Sequence, residues 1–296
     1  MPRPTWSDHH GRAKRARPRE QGQENRARRV APKKQRQQTG IRGRTGSPST
    51  NMTATRKHED IADRLTQDIL VGQYRTGERL PSERDLAARF DANRGAVREA
   101  MKKLEQLGLA TIAQGGARVA PLSEASLDVI GHMLGMGDLP EENLVDQIMQ
   151  VISNLITLAA EAAVNRASDE ELAKFQQLVE PLTHSRLSPE AHTEARFALI
   201  GAMMEASGNL VCQLIARSLL MQLVPSMKPL EGYAELDMEA YACHARELKA
   251  ALDQRDPKAV RGIFESLSRL NRDTARQAFT KFKSQGGTHL PQAASS

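Results

Sequence analysis

One stretch of the sequence constrains the fold more than any other, because it joins two capped helical patterns through a sharp break. It reads LPSERDLAARFDANRGAVREAMKKLEQLGLATIAQGGARVA over residues 80–120. Ser82 and Asn93 have side chains that cap helices, and each directly precedes a run of helical periodicity. Gly108 ends the second run. The pattern therefore predicts two short helices joined by a tight turn.

The flanking residues add a helix before this pair and a hairpin after it. HEDIADRLTQDILVGQY, residues 58–74, spaces its apolar side chains as one face of a helix. After the second capped helix, two short apolar runs surround a Gln-Gly-Gly sequence that is typical of a β-hairpin turn. Together these elements predict a winged helix-turn-helix domain over residues 55–121, with the helix-turn-helix at about 83–102.

The start of the second capped helix carries charges that do not favour its own stability. Arg94 and Arg98 oppose the helix dipole there, and Gly95 between them lowers helix propensity. In a winged helix-turn-helix this end enters the major groove, where arginine contacts guanine edges and phosphates. We interpret these residues as DNA contacts, with solvated arginines of no special role as the alternative. The predicted contacts are Arg84, Asn93, Arg94, Gly95, Arg98, Gln114 and Gly115.

Three blocks of this stretch resemble the DNA-binding domain of GntR-type bacterial transcription regulators. They are Leu-Pro-Ser-Glu-Arg-x-Leu-Ala, Arg-x-x-Val-Arg-Glu-Ala and Leu-x-x-x-Gly-Leu, in that order and followed by a glycine-bearing wing. The resemblance implies that Arg84, Arg94 and Arg98 contact DNA, with the wing tip at Gln114 and Gly115 assisting. Hydroxyl residues that are usual in the family at the start of the second helix are absent here, which implies a different preferred operator.

Residues 122–283 carry helical periodicity that is interrupted only by caps and turns. Ser168 and Glu171 form a capping-box pattern, and Asn209 precedes another helix. An Asp-Pro pair at 256–257 separates the last two helices. Because strand-like alternation does not occur, the pattern predicts an antiparallel bundle of six or seven helices. The chain is therefore predicted to be mainly α, with a small β-hairpin wing.

The length and helical character of this second region resemble the FCD-type sensor domain of the FadR-like branch of GntR regulators. MMEASGN and ELKAALDQRDPKAV are similar to two recurrent stretches of that branch. The resemblance implies a ligand pocket inside the bundle. It also implies a homodimer that places two recognition helices on a palindromic operator.

Many members of this branch bind a divalent metal through one Asp and three His of the bundle. The matching positions here hold residues that cannot supply those ligands. They are Arg196, Ile200, Ala245 and Leu267. Three other histidines, His132, His184 and His192, are scattered and are interpreted as surface or capping residues. We therefore expect neither a metal nor another cofactor.

Two polar residues on apolar helices are candidates for ligand binding. Arg196 lies on a strongly apolar helix, where its guanidinium either binds a carboxylate or phosphate or extends to solvent. Asn154 has a similar place on another apolar helix. The expected effector is a carboxylate or an acyl-CoA, since the branch that this region resembles includes acyl-CoA-sensing members that also lack the metal.

The two ends of the chain differ in composition from the rest. Residues 1–51 hold 14 Lys or Arg and three Asp or Glu, with few apolar residues, which predicts a disordered basic tail. The tail is either a nonspecific DNA-binding arm or an upstream extension that is never made, with translation starting at Met52. Residues 284–296 are predicted to form a second disordered tail.

The apolar runs and the cysteines bear on localisation. The N-terminus lacks the apolar stretch of a signal peptide, and no apolar run approaches the roughly 20 residues that cross a membrane. Cys212 and Cys243 lie far apart in helical segments, which indicates thiols in a reducing compartment rather than a disulfide. We therefore expect a cytoplasmic, nucleoid-associated protein without a membrane partner.

These patterns favour a homodimeric regulator of transcription that binds double-stranded DNA and represses in response to a metabolite. The effector would shift the population between DNA-competent and DNA-incompetent states. One alternative is an architectural DNA-binding dimer without a ligand. A less favoured alternative is an enzyme with a DNA-binding appendage. Because no nucleophile–base pair, carboxylate pair or phosphate loop occurs, no catalytic residue is predicted.

Overall fold

The computed structural model describes residues 49–285, and in that range the chain forms ten α-helices and one two-stranded antiparallel hairpin. The mainly helical class predicted from the sequence is confirmed. The predicted tails, residues 1–51 and 284–296, lie outside the described residues except at their inner ends. At those ends the first helix begins at Ser49 and the last one continues to Ser284, each within a range predicted as a tail. Neither extension contains Gly or Pro, so nothing in the local sequence stops the helical backbone.

Three helices and the hairpin form the predicted winged helix-turn-helix. They are α1 (Ser49–Leu70), α2 (Glu83–Arg89), α3 (Arg94–Gln106), β1 (Ala110–Ala113) and β2 (Gly116–Val119). The Ser82 hydroxyl caps α2 by accepting a hydrogen bond from the Asp85 amide at 3.3 Å. Asn93 caps α3, and its Oδ1 accepts from the Ala96 amide at 2.8 Å. Both caps predicted from the sequence are therefore confirmed.

The hydrophobic core of this domain lies between the three helices and the hairpin. Leu65 of α1, Leu86 of α2 and Leu104 of α3 are completely buried in it. A further extended segment, residues 77–80, joins the outer edge of β2 through backbone hydrogen bonds of 2.8 to 2.9 Å. The wing is therefore hydrogen-bonded along both edges of β2, which fixes its position against the helices.

Seven further α-helices follow, which confirms the predicted six or seven. They are α4 (Val129–Leu134), α5 (Glu142–Arg166), α6 (Asp169–Val179), α7 (Pro189–Ala206), α8 (Leu210–Ser226), α9 (Met238–Asp253) and α10 (Pro257–Ser284). Short 3-10 helices occur at Leu122–Glu124, Glu180–Thr183 and Lys228–Tyr233. α5 is the central helix of the bundle and packs against α7, α8 and α10. The predicted capping box of Ser168 and Glu171 is present at the start of α6.

Helix α5 is long and apolar enough to cross a membrane by length and composition alone, so the prediction that no apolar run approaches that length was wrong. The run was missed because polar residues such as Asn154 divide it into shorter pieces.

An ion pair joins α5 to α10: the Asp146 carboxylate accepts two hydrogen bonds from the Arg272 guanidinium of α10, at 2.6 and 2.7 Å. These bonds hold the pKa of Asp146 below its usual range.

A buried carboxylate joins α1 to α2. Asp68 is almost completely buried near the end of α1, and its Oδ2 accepts a hydrogen bond from Arg89 Nη2 at 2.7 Å. Arg89 also donates to the Tyr74 hydroxyl at 3.1 Å, and Arg64 Nε lies 3.5 Å from Asp68 Oδ1. The hydrogen bond from Arg89 to Asp68 raises the pKa of the guanidinium. Removing one member of such a pair is costly, because the other remains desolvated.

We expect Asp68→Asn to lower the free energy of unfolding by about 1–3 kcal/mol, because an amide cannot replace the charge-assisted hydrogen bonds of the buried carboxylate. Urea unfolding followed by circular dichroism measures the change. Asp63→Asn is the matched control, since Asp63 is exposed and its pairing with Lys103 at 3.4 Å contributes at most about 1 kcal/mol. Equal losses in both variants would show that the buried carboxylate does not hold the helices together.

Candidate functional site

Three of the predicted DNA contacts lie together on the solvent side of α2 and α3. Arg84, Arg94 and Arg98 are all exposed, and the side chains of Arg84 and Arg98 are 80% and 63% accessible. Glu83 joins the two helices, because its carboxylate accepts hydrogen bonds from Arg98 Nε at 2.8 and 3.0 Å. The starts of α2 and α3 therefore share one basic surface, which we call the arginine surface.

Two further predicted contacts shape the start of α3. Asn93 is exposed, but its side-chain oxygen is engaged in capping the helix, so the amide nitrogen is the group left to face a partner. Gly95 is exposed as well. A side chain at this position would begin 3.1 Å from Asn93 Oδ1, so the glycine keeps the cap unobstructed and the backbone accessible. Both residues leave the N-terminus of α3 open to a ligand.

The hairpin tip holds the remaining two predicted contacts. Gln114 and Gly115 form the turn between β1 and β2 and are exposed. A Cβ at Gly115 would meet no atom within 4 Å, so the tip is open to solvent. The structure therefore places all seven predicted contacts on the surface of one domain, at the helix starts and at the wing.

Two wing arginines were missed by the sequence analysis. Arg118 is exposed on β2, and its Nη1 donates to the Gly77 carbonyl at 2.9 Å. Arg79 forms an antiparallel backbone bridge with Arg118. Its Nε and Nη2 atoms lie 3.0 and 3.1 Å from the position that a Cβ of Gly116 would take. A signal for Arg118 was present, because its neighbours Ala117 and Val119 are apolar and alternation in a strand turns the residue between them outward.

A second group of polar side chains lies inside the helical bundle. Arg196 of α7 donates to Asn271 Oδ1 of α10 at 2.9 Å, and Tyr241 of α9 donates its hydroxyl to the same oxygen at 2.6 Å. The Arg196 guanidinium also lies over the Tyr241 ring, 4.8 Å from its centre. Arg196 is half-buried, so it points into the bundle rather than only toward solvent. We call these three residues and His192 the polar cluster.

His192 corrects an interpretation made from the sequence. It is 2% exposed, on the first turns of α7, and is therefore neither a surface nor a capping residue. Its ring packs edge-on against Tyr241 at 4.8 Å, and its Nδ1 has no hydrogen-bond partner. Burial, with a smaller contribution from the charge of Arg196, lowers the pKa of His192 to about 4. The imidazole is therefore neutral at pH 7.

Asn154, the other predicted ligand-binding residue, does not join the polar cluster. It is exposed on α5, on the same side as Val151 and Leu158, because these positions are three and four residues apart. The buried side of α5 carries Ile148 and Ile152 instead. Within residues 49–285, no three His, Cys, Asp or Glu side chains lie close enough together to hold a metal ion.

Two family descriptions match the sequence, one in each half of the fold. The family "Bacterial regulatory proteins, gntR family" matches residues 57–119, and the FCD domain matches residues 147–269. The first match contains the arginine surface and the wing. The second contains His192, Arg196 and Tyr241 of the polar cluster.

Individual relatives agree with these matches. The chain is 32% identical over 121 residues to the HTH-type transcriptional regulator Mce2R of Mycobacterium tuberculosis, an alignment that covers 40% of this chain and 50% of that protein. It is 30% identical over 219 residues to the HTH-type transcriptional repressor NanR of Salmonella newport, covering 69% of this chain and 80% of that protein. The chain thus spans about half the length of Mce2R. Among solved structures, Streptococcus agalactiae GntR is 21% identical with a TM-score of 0.40, covering 73% of this chain and 99% of that one.

The polar cluster makes a prediction about pH. Because His192 titrates near 6.5 when unfolded and near 4 in the fold, the unfolded state binds its proton first as the pH falls. The stability that the neutral imidazole contributes is therefore present above pH 6.5 and lost as the pH falls toward 4. Between pH 6.5 and pH 4 the parent is therefore expected to lose about 3 kcal/mol of unfolding free energy that His192→Phe retains.

Urea unfolding at pH values between 4 and 7.5 measures this difference. His184→Gln is the control, because it removes an imidazole that is exposed rather than buried. A His192→Phe protein that loses stability with pH as steeply as the parent would contradict the assignment of a neutral, buried His192.

Proposed function

The chain belongs to the gntR family of bacterial regulatory proteins, and from this membership we propose that it is a DNA-binding transcription regulator that represses in response to a metabolite. The observation that carries the proposal is the arginine surface, which stands at the exposed starts of two helices within the matched region. The relative NanR is named as a repressor, which supports the proposed sign of control. A cytoplasmic, nucleoid-associated location follows from this function.

The proposed DNA contacts divide by position. Arg94 and Arg98 lie on the first turns of α3, the end that enters the major groove in helix-turn-helix proteins, and there they would contact base edges and phosphates. Arg84 would reach the backbone from the start of α2. The wing tip at Gln114 and Gly115 would contact the adjacent minor groove or backbone. Because Arg118 is exposed on the same wing, we add it to the proposed phosphate contacts.

An apolar surface on the bundle supports the proposed homodimer. One side of α8 exposes five large apolar side chains at helical spacing, and the neighbouring side of α5 exposes two more. They are Leu210, Val211, Leu214, Met221, Val224, Val151 and Leu158, between 47% and 67% accessible. A contiguous patch of this kind is typical of a protein interface. Packing it against a second copy would give the two-fold symmetry that matches a palindromic operator.

The polar cluster supports an effector that carries a carboxylate. Arg196 presents a guanidinium beside the Asn271 amide, and the guanidinium N–H groups and the amide NH₂ can donate to carboxylate oxygens. An acyl-CoA is also included in this proposal, because the Arg196 guanidinium can bind its phosphate groups. Binding would have to favour one arrangement of the bundle, and hence one spacing of the two α3 helices, to change DNA affinity.

Two alternatives differ in what they require. An architectural dimer would bind DNA through the same arginine surface but would have no effector. The enzyme alternative is dropped, because the matching family consists of regulatory proteins and the named relatives are transcriptional regulators.

DNA binding is tested by fluorescence anisotropy with a duplex from the intergenic region upstream of the protein's own gene. Arg94→Ala/Arg98→Ala is expected to lose at least about 2 kcal/mol of binding free energy, because a base contact is worth roughly 1–3 kcal/mol. Arg186→Ala/Arg269→Ala removes the same charge from exposed positions of the bundle and is the matched control. Two chains per duplex are expected at saturation. Equal affinity of the two double variants would contradict the assigned contact surface.

Effector binding is tested by thermal unfolding of the full chain with a panel of carboxylates, sugar acids and acyl-CoAs. A ligand that binds the native state raises the melting temperature, by an amount that grows with its concentration above Kd. We expect such a rise for the parent and its loss in Arg196→Gln, each compared with its own ligand-free melting temperature. A parent that responds to no compound of the panel would favour the architectural dimer.

A further inference from the structure

Glu83 places a carboxylate on the surface that is proposed to bind DNA. It is the first residue of α2, it directly precedes Arg84, and its side chain is 43% accessible on the arginine surface. DNA brought to this surface would place phosphates near a negative charge, and like charges repel at this range. A residue that only caps α2 is not needed here, because Ser82 already provides the cap.

The geometry of Glu83 indicates what its carboxylate does. Both of its oxygens accept hydrogen bonds from the same atom, Arg98 Nε, at 2.8 and 3.0 Å. The pair therefore uses the Nε edge of the guanidinium. The opposite edge, with Nη1 and Nη2, lies outside the pair and has the two parallel donors that match the O6 and N7 acceptors of guanine.

Stability does not account for this contact. Both side chains are substantially exposed, and exposed ion pairs contribute at most about 1 kcal/mol to folding. The two helices are already joined by their buried side chains, Leu86 from α2 and Val97 from α3. What the contact does change is the freedom of Arg98, since a long side chain held at Nε has few remaining rotamers.

We propose that Glu83 is a positioning residue for base recognition, which holds the Arg98 guanidinium so that its Nη edge faces the major groove. This inference rests on the proposed function of DNA binding. It has two consequences. Fixing the guanidinium lowers the entropy lost when Arg98 contacts its base, and the carboxylate weakens binding to sites where that contact cannot form. Glu83 therefore contributes to sequence discrimination more than to total affinity.

Glu99 provides a matched control on the same surface. It directly follows Arg98 in α3, is exposed, and pairs with Lys102 at 2.9 Å rather than with Arg98. Removing its charge changes the net charge of the winged domain by the same amount as removing the charge of Glu83. Only the positioning role separates the two residues.

The test is selection from a randomised duplex library by the full chain, in which the enriched sequences are compared among variants. The variants are the parent, Glu83→Ala, Glu83→Gln, Glu99→Gln, Arg94→Ala and Arg98→Ala. We expect Glu83→Ala to lose base preference, by about tenfold in enrichment, at the positions where Arg98→Ala loses it. Preferences that depend on Arg94 should persist in Glu83→Ala. Glu83→Gln keeps one oxygen acceptor for Nε and is expected to show a smaller loss at the same positions.

The possible outcomes separate the inference from the proposed function. A Glu83→Ala protein that keeps the full parental preference overturns the inference while leaving DNA recognition by Arg98 intact. An equal effect of Glu99→Gln overturns it as well, because charge alone would then explain the result. A loss spread evenly over all positions, with a lowered melting temperature, assigns Glu83 a structural role instead. A parent that enriches no sequence overturns the proposed function, and the inference with it.

Discussion

The position of α3 depends on α1 and α2, the two helices on which it packs, and a buried carboxylate joins those two helices. Asp68, which is buried near the end of α1, accepts a hydrogen bond from Arg89, which is partly exposed at the end of α2. α3 then packs over both helices through a continuous apolar core. Because this hydrogen bond joins α1 to α2, sliding of α2 would leave the buried Asp68 carboxylate without its partner. The positions of Arg84 and Arg98 therefore depend on the hydrogen bond between Asp68 and Arg89.

Helix α4 joins the core of the winged domain to the core of the bundle. Val129 at its start belongs to the core of the winged domain, whereas Leu134 at its end belongs to the core of the bundle. Between them, Gly131 lies against Gln222 of α8, and an added Cβ would stand 3.0 Å from the Gln222 Oε1. The absence of a side chain thus permits close packing of α4 on α8.

The sequence predicted the features that depend on neighbours along the chain. Ser82, Asn93 and Asn209 were recognised as caps because a capping bond spans only two or three residues. The burial of His192 could not be predicted in this way, since it depends on Tyr241 about fifty residues later. The exposure of Asn154 was likewise hidden, because the apolar residues of α5 lie on both of its sides. The exposure of Arg118 could have been predicted from the alternation of side chains along β2, but that alternation was not used.

The basic residues are unevenly distributed along the chain, which bears on how the arginine surface would bind DNA. The net charge of +6 arises in the first 51 residues, which hold 11 more basic than acidic residues, whereas the remaining residues hold five more acidic than basic ones. The part of the chain that forms the winged domain and the bundle is therefore not attracted to DNA by its overall charge. In the proposed function, the DNA affinity of this part depends on a few arginines at defined positions. In such a protein, a carboxylate that orients one of those arginines has more influence on sequence choice than it would on a broadly basic surface, where the contribution of any single contact is diluted.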